Sequence, residues 1–124
     1  MTTVLVVDDN ARNRKLARDV LGAAGFRMLE AATGAEGIEL AGEHDPDVIL
    51  LDLRLPDMGG AEVAEKLRTA ERTARIPVVA MSALPLGEHG EWLDAAGFAG
   101  YLDKPIKVSM FPDQVRRFCA EAGG

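Results

Sequence analysis

Cysteine is almost missing from this chain: Cys119 is alone among 124 residues, so no internal disulfide can form. A domain without staples must hold itself by its core, which suits a reducing compartment. Cys119 itself reads as a small buried hydrophobe on the last helix. Missing too is any apolar run approaching the roughly 20 residues of a membrane span. The N-terminus has neither the basic region nor the apolar stretch of a signal peptide. These absences argue against a membrane protein and for the cytoplasm. Positive charge is the third scarcity, with 14 Lys and Arg against 20 Asp and Glu and a net charge of −6. Such a chain repels nucleic-acid phosphates, so its partners are expected to be proteins. Linkers, repeats and low-complexity segments are absent as well, and residues 1–124 read as a single domain with one sizeable core and no attached effector.

What is present is a set of short apolar runs that end on reactive groups. Val48-Ile49-Leu50-Leu51 ends on Asp52 and is bracketed by Pro46 and by Pro56 with Gly59 and Gly60. A run this short reads as a strand covered on both faces, as in a parallel sheet sandwiched between helices. Thr3 to Val7 delivers Asp8 and Asp9, Val78 to Met81 delivers Ser82, and Gly100 to Leu102 delivers Asp103 and Lys104. In open parallel α/β sheets the carboxyl edge is where ligands bind. Acid pair, single acid, hydroxyl and lysine would therefore meet at one edge.

Between these runs lie helical patterns. Asn10 can cap a helix carrying Leu16, Ala17, Val20, Leu21 and Ala24, closed by Gly25. Phe26 to Ala31 is a second strand that Arg27 and Glu30 interrupt, which an edge position would tolerate. Thr33 and Glu36 form a capping box for the next helix, with Ile38 and Ala41 facing inward. Val63, Ala64 and Leu67 mark a third helix that runs into the polar stretch Thr69 to Arg75, and Ile76 to Met81 is the fourth strand. Leu86, Leu93 and Ala96 suggest a fourth helix with a poor start at Pro85, Gly87 and Gly90. A last helix begins at Ser109, carries Phe111, Val115 and Phe118 on one face, and frays from Ala120. Five strands alternate with five helices, which gives a doubly wound (βα)5 fold.

Three aspartates at one sheet edge repel each other, and a hard divalent cation is the natural relief. Few ligands and an open, wet site favour Mg2+. With the cation offsetting both negative reactants, Asp52 can attack phosphorus, while Lys104 and the Ser82 hydroxyl can hold the transferred oxygens.

In combination, Asp8-Asp9, Asp52, Ser82 and Lys104-Pro105 resemble the receiver domain of two-component response regulators, over essentially the whole chain. The stretch from Val7 to Leu16 further resembles single-domain cell-cycle and phosphorelay receivers and those of hybrid histidine kinases. The resemblance implies a flavodoxin-like three-layer sandwich. It implies Asp52 as phosphoacceptor, and Asp8 and Asp9 as the Mg2+-binding acids, with Asp9 the preferred direct ligand. Arg54 falls where the family contributes a backbone carbonyl to the metal. Ser82 and Tyr101 match the switch hydroxyl and switch aromatic, Lys104 the family lysine, and Pro105 the proline after a cis bond. Arg54 and Leu84, two residues past Asp52 and Ser82, fall where the family shapes access of the hydrolytic water. A histidine kinase or histidine phosphotransfer protein would donate the phosphoryl group, and a downstream protein would read it. Gly59 departs from the acidic residue many members carry there, and Ile106 from their phenylalanine.

Two other readings compete. A haloacid-dehalogenase-like phosphatase would use the same aspartyl phosphate, but it needs an acid two residues after the nucleophile, where Arg54 stands. A degenerate receiver would act only as an interaction module, against which the complete pocket set argues. His44 and His89 lie in polar, loop-like surroundings and read as solvated rather than as ligands. The segment Leu84 to Leu93 is expected to be mobile and part of the output surface, with Trp92 pointing outward.

Overall fold

The structure, a computed structural model, describes residues 2–82, 97–103 and 107–123, and the side chains at 82, 103 and 120–123 lie outside that description. Among the described residues the chain forms β1 (Thr3–Val7), α1 (Ala11–Ala23), β2 (Arg27–Ala31), α2 (Gly34–His44), β3 (Val48–Asp52), α3 (Gly60–Thr69), β4 (Val78–Ser82), β5 (Gly100–Asp103) and α4 (Phe111–Gly123). The helix expected between Leu86 and Ala96 lies outside the described residues, as do Leu84, Trp92, Lys104 and Pro105.

The strands pair in parallel in the order β2-β1-β3-β4-β5. Side chains alternate across a pleated strand, so each run feeds two cores at once. Leu5, Val7, Ile49, Leu51, Val78 and Ala80 pack beneath Ala41 of α2 and Val63 and Leu67 of α3. Val4, Val6, Val48, Leu50, Val79 and Met81 pack beneath Ala17 and Leu21 of α1 and Phe111 and Val115 of α4. Helices on both faces explain why β1 is apolar from Val4 to Val7 and β3 from Val48 to Leu51. The interrupted strand β2 is indeed at an edge, where Arg27 can stay exposed.

Local boundaries follow from where the backbone amides go. Asn10 caps α1, its side chain accepting from the amides of Arg12 and Asn13 at 2.9 and 3.3 Å. Phe26 stays out of β2 because its amide returns to the Leu21 carbonyl at 3.0 Å while its ring is buried. Thr33 Oγ1 accepts from Glu36 at 3.1 Å, but Glu36 reaches back to the amide of Ala32, at 3.3 Å, one residue earlier than a capping box requires. β4 starts at Val78 rather than Ile76, whose amide closes a turn on the Thr73 carbonyl at 3.0 Å. Thr73, within the polar connection, is buried and donates from Oγ1 to the Leu67 carbonyl at 2.6 Å, which ties off α3. α4 begins at Phe111, two residues after Ser109, because Met110 and Phe111 both donate to the Lys107 carbonyl at 3.0 Å. Its backbone continues to Gly123, beyond the expected fraying point, with Pro112 in the first turn where its missing donor costs nothing. His44 is the last residue of α2 rather than part of a loop, and it is exposed as expected.

Helix α2 offers a matched pair of glycines. A Cβ at Gly37 would sit 2.8 Å from Val7 Cγ2, whereas one at Gly42 would meet nothing within 4 Å. Gly37→Ala should destabilise by about 1–3 kcal/mol through overpacking. Gly42→Ala should stabilise by up to about 1 kcal/mol through helix propensity. Urea unfolding midpoints of the two variants, moving in opposite directions from wild type, check the packing of α2 on β1.

Candidate functional site

Parallel pairing sets Val7 beside Leu51, so Asp8 and Asp52 leave the sheet as neighbours at its carboxyl edge. Asp8 is 0% exposed and Asp52 7%, while Asp9 is exposed. One carboxylate oxygen from each of the three lies within 4.8 Å of the others. Buried carboxylates need donors, and Asp8 has several. Its Oδ1 accepts from the amide of Asn10 at 2.9 Å and its Oδ2 from Asn13 Nδ2 at 3.2 Å. Its own amide donates to the Ala31 carbonyl at 3.0 Å, and its carbonyl accepts from Arg14 Nη1 at 2.7 Å. Asp52 Oδ1 accepts from the amide of Arg54 at 2.9 Å.

The loop behind Asp52 is tightly closed. Arg54 bridges to Gly59, and the amide of Gly60 donates to the Leu53 carbonyl at 3.2 Å. A Cβ at Gly60 would lie 2.9 Å from Leu53 Cα, so this close approach needs glycine there, not at Gly59. Asp57, in the same loop, reaches the start of α2 and accepts from the amides of Gly34 and Ala35 at 2.8 and 3.0 Å. Those two backbone donors hold the Asp57 carboxyl below the usual carboxylate range.

Of the residues expected from sequence, the structure brings together Asp8, Asp9 and Asp52. Ser82 ends β4 opposite Asp103, one residue beyond the Met81 that pairs with Asp52, so its backbone lies at the same edge. Its side chain, like Lys104, is outside the described residues. Tyr101 pairs with Ala80, further in from the edge, and is half-buried against the core under α2 and α3. Arg54 is exposed. Cys119 is half-buried against the α1/α4 core, and burial, with Asp47 nearby, pushes its thiol up, away from reactivity. Sequence reasoning missed Asn13, Arg14 and Asp57. The first two were within view, since positions five and six residues after Asp8 on a helix that starts at Ala11 point back at the strand end. Asp57 acts across 23 residues of chain and carries no local signal.

Three carboxylates supply only oxygen donors, and two are buried beside one that is open to water. That set fits a hard divalent cation such as Mg2+, which keeps several waters and takes few protein ligands. Among the described residues no helix is long and apolar enough to cross a membrane.

Residues 4–116 match the family model described as response regulator receiver domain. The polar-differentiation response regulator DivK of Brucella ovis is 36% identical over 120 residues, covering 97% of this chain and 98% of that protein. The chemotaxis protein CheY4 of Vibrio cholerae superposes with a TM-score of 0.89 at 28% identity, over 95% of this chain and 98% of that one. The receiver domain of the sensor histidine kinase PA1611 of Pseudomonas aeruginosa, solved with a magnesium ion coordinated in its active site cleft, has a TM-score of 0.86 and 29% identity, over 96% and 98% of the two chains.

A lowered carboxyl pKa stabilises the fold where the group is ionised, so the Asp57 contribution is present above its ordinary value of 3.8 and is lost as pH falls below it. Asp57→Asn should therefore unfold at lower urea than wild type at neutral pH, and the two curves should converge as the buffer is acidified past 3.8. A gap that does not depend on pH would show that the carboxylate charge plays no part in the cap.

Proposed function

Because the chain belongs to the response regulator receiver domain family, we propose that Asp52 is the carboxylate that accepts the phosphoryl group, beside a Mg2+ site formed by Asp9, Asp8, Asp52 itself and the carbonyl of Arg54. The protein is a phosphoacceptor receiver of two-component signalling and not a classical enzyme. The finer reading rests on one observation, the convergence of three carboxylates within 4.8 Å at the carboxyl edge of the sheet.

Bound Mg2+ would offset the negative charge of carboxylate and phosphoryl group. The rest falls to the chain. An Asp52 oxygen forms the bond to phosphorus as the bond from phosphorus to the donor's imidazole nitrogen breaks, and the imidazole leaves with that electron pair. The Arg54 amide, 2.9 Å from Oδ1, fixes the carboxylate's rotation. Ser82 and Lys104, at the ends of β4 and β5, supply a hydroxyl donor and an ammonium for the transferred oxygens. The same groups would act when a small phosphodonor is used, so phosphorylation and its hydrolysis are both self-catalysed. The added charge, about −1.5 to −2, draws Ser82 in, and Tyr101 turns behind it from its half-buried seat. Arg54 and Leu84 govern how water reaches the phosphorylated group. Residues 1–124 act as one receiver, in the cytoplasm, that takes its phosphoryl group from a histidine kinase or phosphotransfer protein. Output passes to a protein target through a surface that includes Trp92. The PA1611 receiver's coordinated magnesium supports the metal reading.

Incubated with acetyl phosphate, wild type should take up phosphate with Mg2+ present and none after chelation, and Asp52→Asn should take up none in either case. Equal, Mg2+-dependent uptake by Asp52→Asn would move the phosphoacceptor elsewhere. Ser82→Ala should be phosphorylated yet fail to change its affinity for a partner. A phosphorylation-dependent affinity gain equal to that of wild type would remove Ser82 from the switch.

A further inference from the structure

Glu30 looked like a flaw in the edge strand, but it is a seat for two guanidiniums. Arg18 Nη1 lies 3.0 Å from its Oε2, and Arg14 Nε lies 3.7 Å from its Oε1. Arg14 and Glu30 are both largely covered, with side chains 21% and 24% exposed. The other end of the Arg14 guanidinium donates from Nη1 to the Asp8 carbonyl at 2.7 Å. A peptide plane is rigid, so a donor on the Asp8 carbonyl fixes the peptide that joins Asp8 to Asp9. That peptide sets the angle between a buried carboxylate and an exposed one.

We infer that Arg14, anchored by Glu30, is a positioning residue that sets the geometry of the Asp8–Asp9 acid pair and thereby its affinity for Mg2+. The inference rests on the metal reading above and deepens it. Three observations carry it together. The donor is a guanidinium, whose fork lets one side chain hold two partners in fixed directions. It also forms an ion pair, at 3.7 Å, with an acid from a different element, β2, so its position does not depend on α1 alone. The carboxylate of Asp8 is already held by Asn10 and Asn13, so the carbonyl is what remains to orient the step to Asp9. Groups that orient metal ligands without touching the metal typically change affinity by about 10-fold to 100-fold.

A nearby cation and an orienting donor predict opposite signs. If Arg14 acted only as charge, removing it would strengthen Mg2+ binding. If it positions the acid pair, removing it weakens binding despite the lost repulsion. Isothermal titration of Mg2+ into Arg14→Met should show affinity about tenfold below wild type. Arg14→Lys, which keeps the charge but has no fork to serve Glu30 and the Asp8 carbonyl together, should recover only part of it. Glu30→Gln should weaken Mg2+ binding in wild type and change it little in the Arg14→Met background, as coupled residues do. Urea unfolding of each variant runs alongside. Arg14→Met that binds Mg2+ as tightly as wild type or tighter, with or without a loss of stability, overturns the inference and leaves the metal reading intact. A wild-type chain that takes up no Mg2+ overturns both.

Discussion

Asp8 and Asp52 are buried as neighbours, and ionised carboxylates out of water cost several kcal/mol unless they are paired or well bonded. Much of the surrounding structure answers that cost. Parallel register brings the two strand ends level without bending either strand. Because α1 starts three residues past Asp8, the Asn10 amide and the Asn13 side chain both reach the Asp8 carboxylate. The tight turn after Asp52 returns the Arg54 amide to its own strand end, and only glycine at position 60 lets that turn close against Leu53. A bound cation would cancel part of the remaining repulsion, so what destabilises the domain and what makes it useful are the same charges.

The legible part of this fold was the part decided by local chemistry. Val48 to Asp52 announced itself because a strand covered on both faces has no polar alternation, and its one carboxylate had to be at the end. Asn10, Gly25 and Thr33 showed helix ends because caps act within three residues. What sequence did not show is decided by contacts distant in the chain. Glu30 is an interruption in a strand until α1 folds over it and brings Arg14 and Arg18. Thr73 is one more polar residue in a polar stretch until the Leu67 carbonyl is found 2.6 Å from its hydroxyl. Glu36 was read as the capping-box acid for Thr33, yet its carboxylate takes the amide of Ala32, one residue earlier, because side-chain reach, not spacing, chooses between adjacent amides.

These contacts form a ring around one side of the site. The Asp8 amide is bonded to Ala31 at the end of β2, three residues before the Gly34 amide that Asp57 holds, and Asp57 lies in the loop that begins at Asp52. The edge strand and its turn into α2 therefore tie the acid-pair loop to the loop after Asp52. Hydrogen bonds at both ends restrain the turn from β2 into α2, the kind of pre-organisation the proposed site would need. Under the proposed reading the consequence is directional. The charge added at Asp52 finds little slack towards β1 and β2, where amides and guanidinium are already committed. The response is left to groups carried at the ends of β4 and β5, the strand on which Tyr101 sits half-buried beside Ala80.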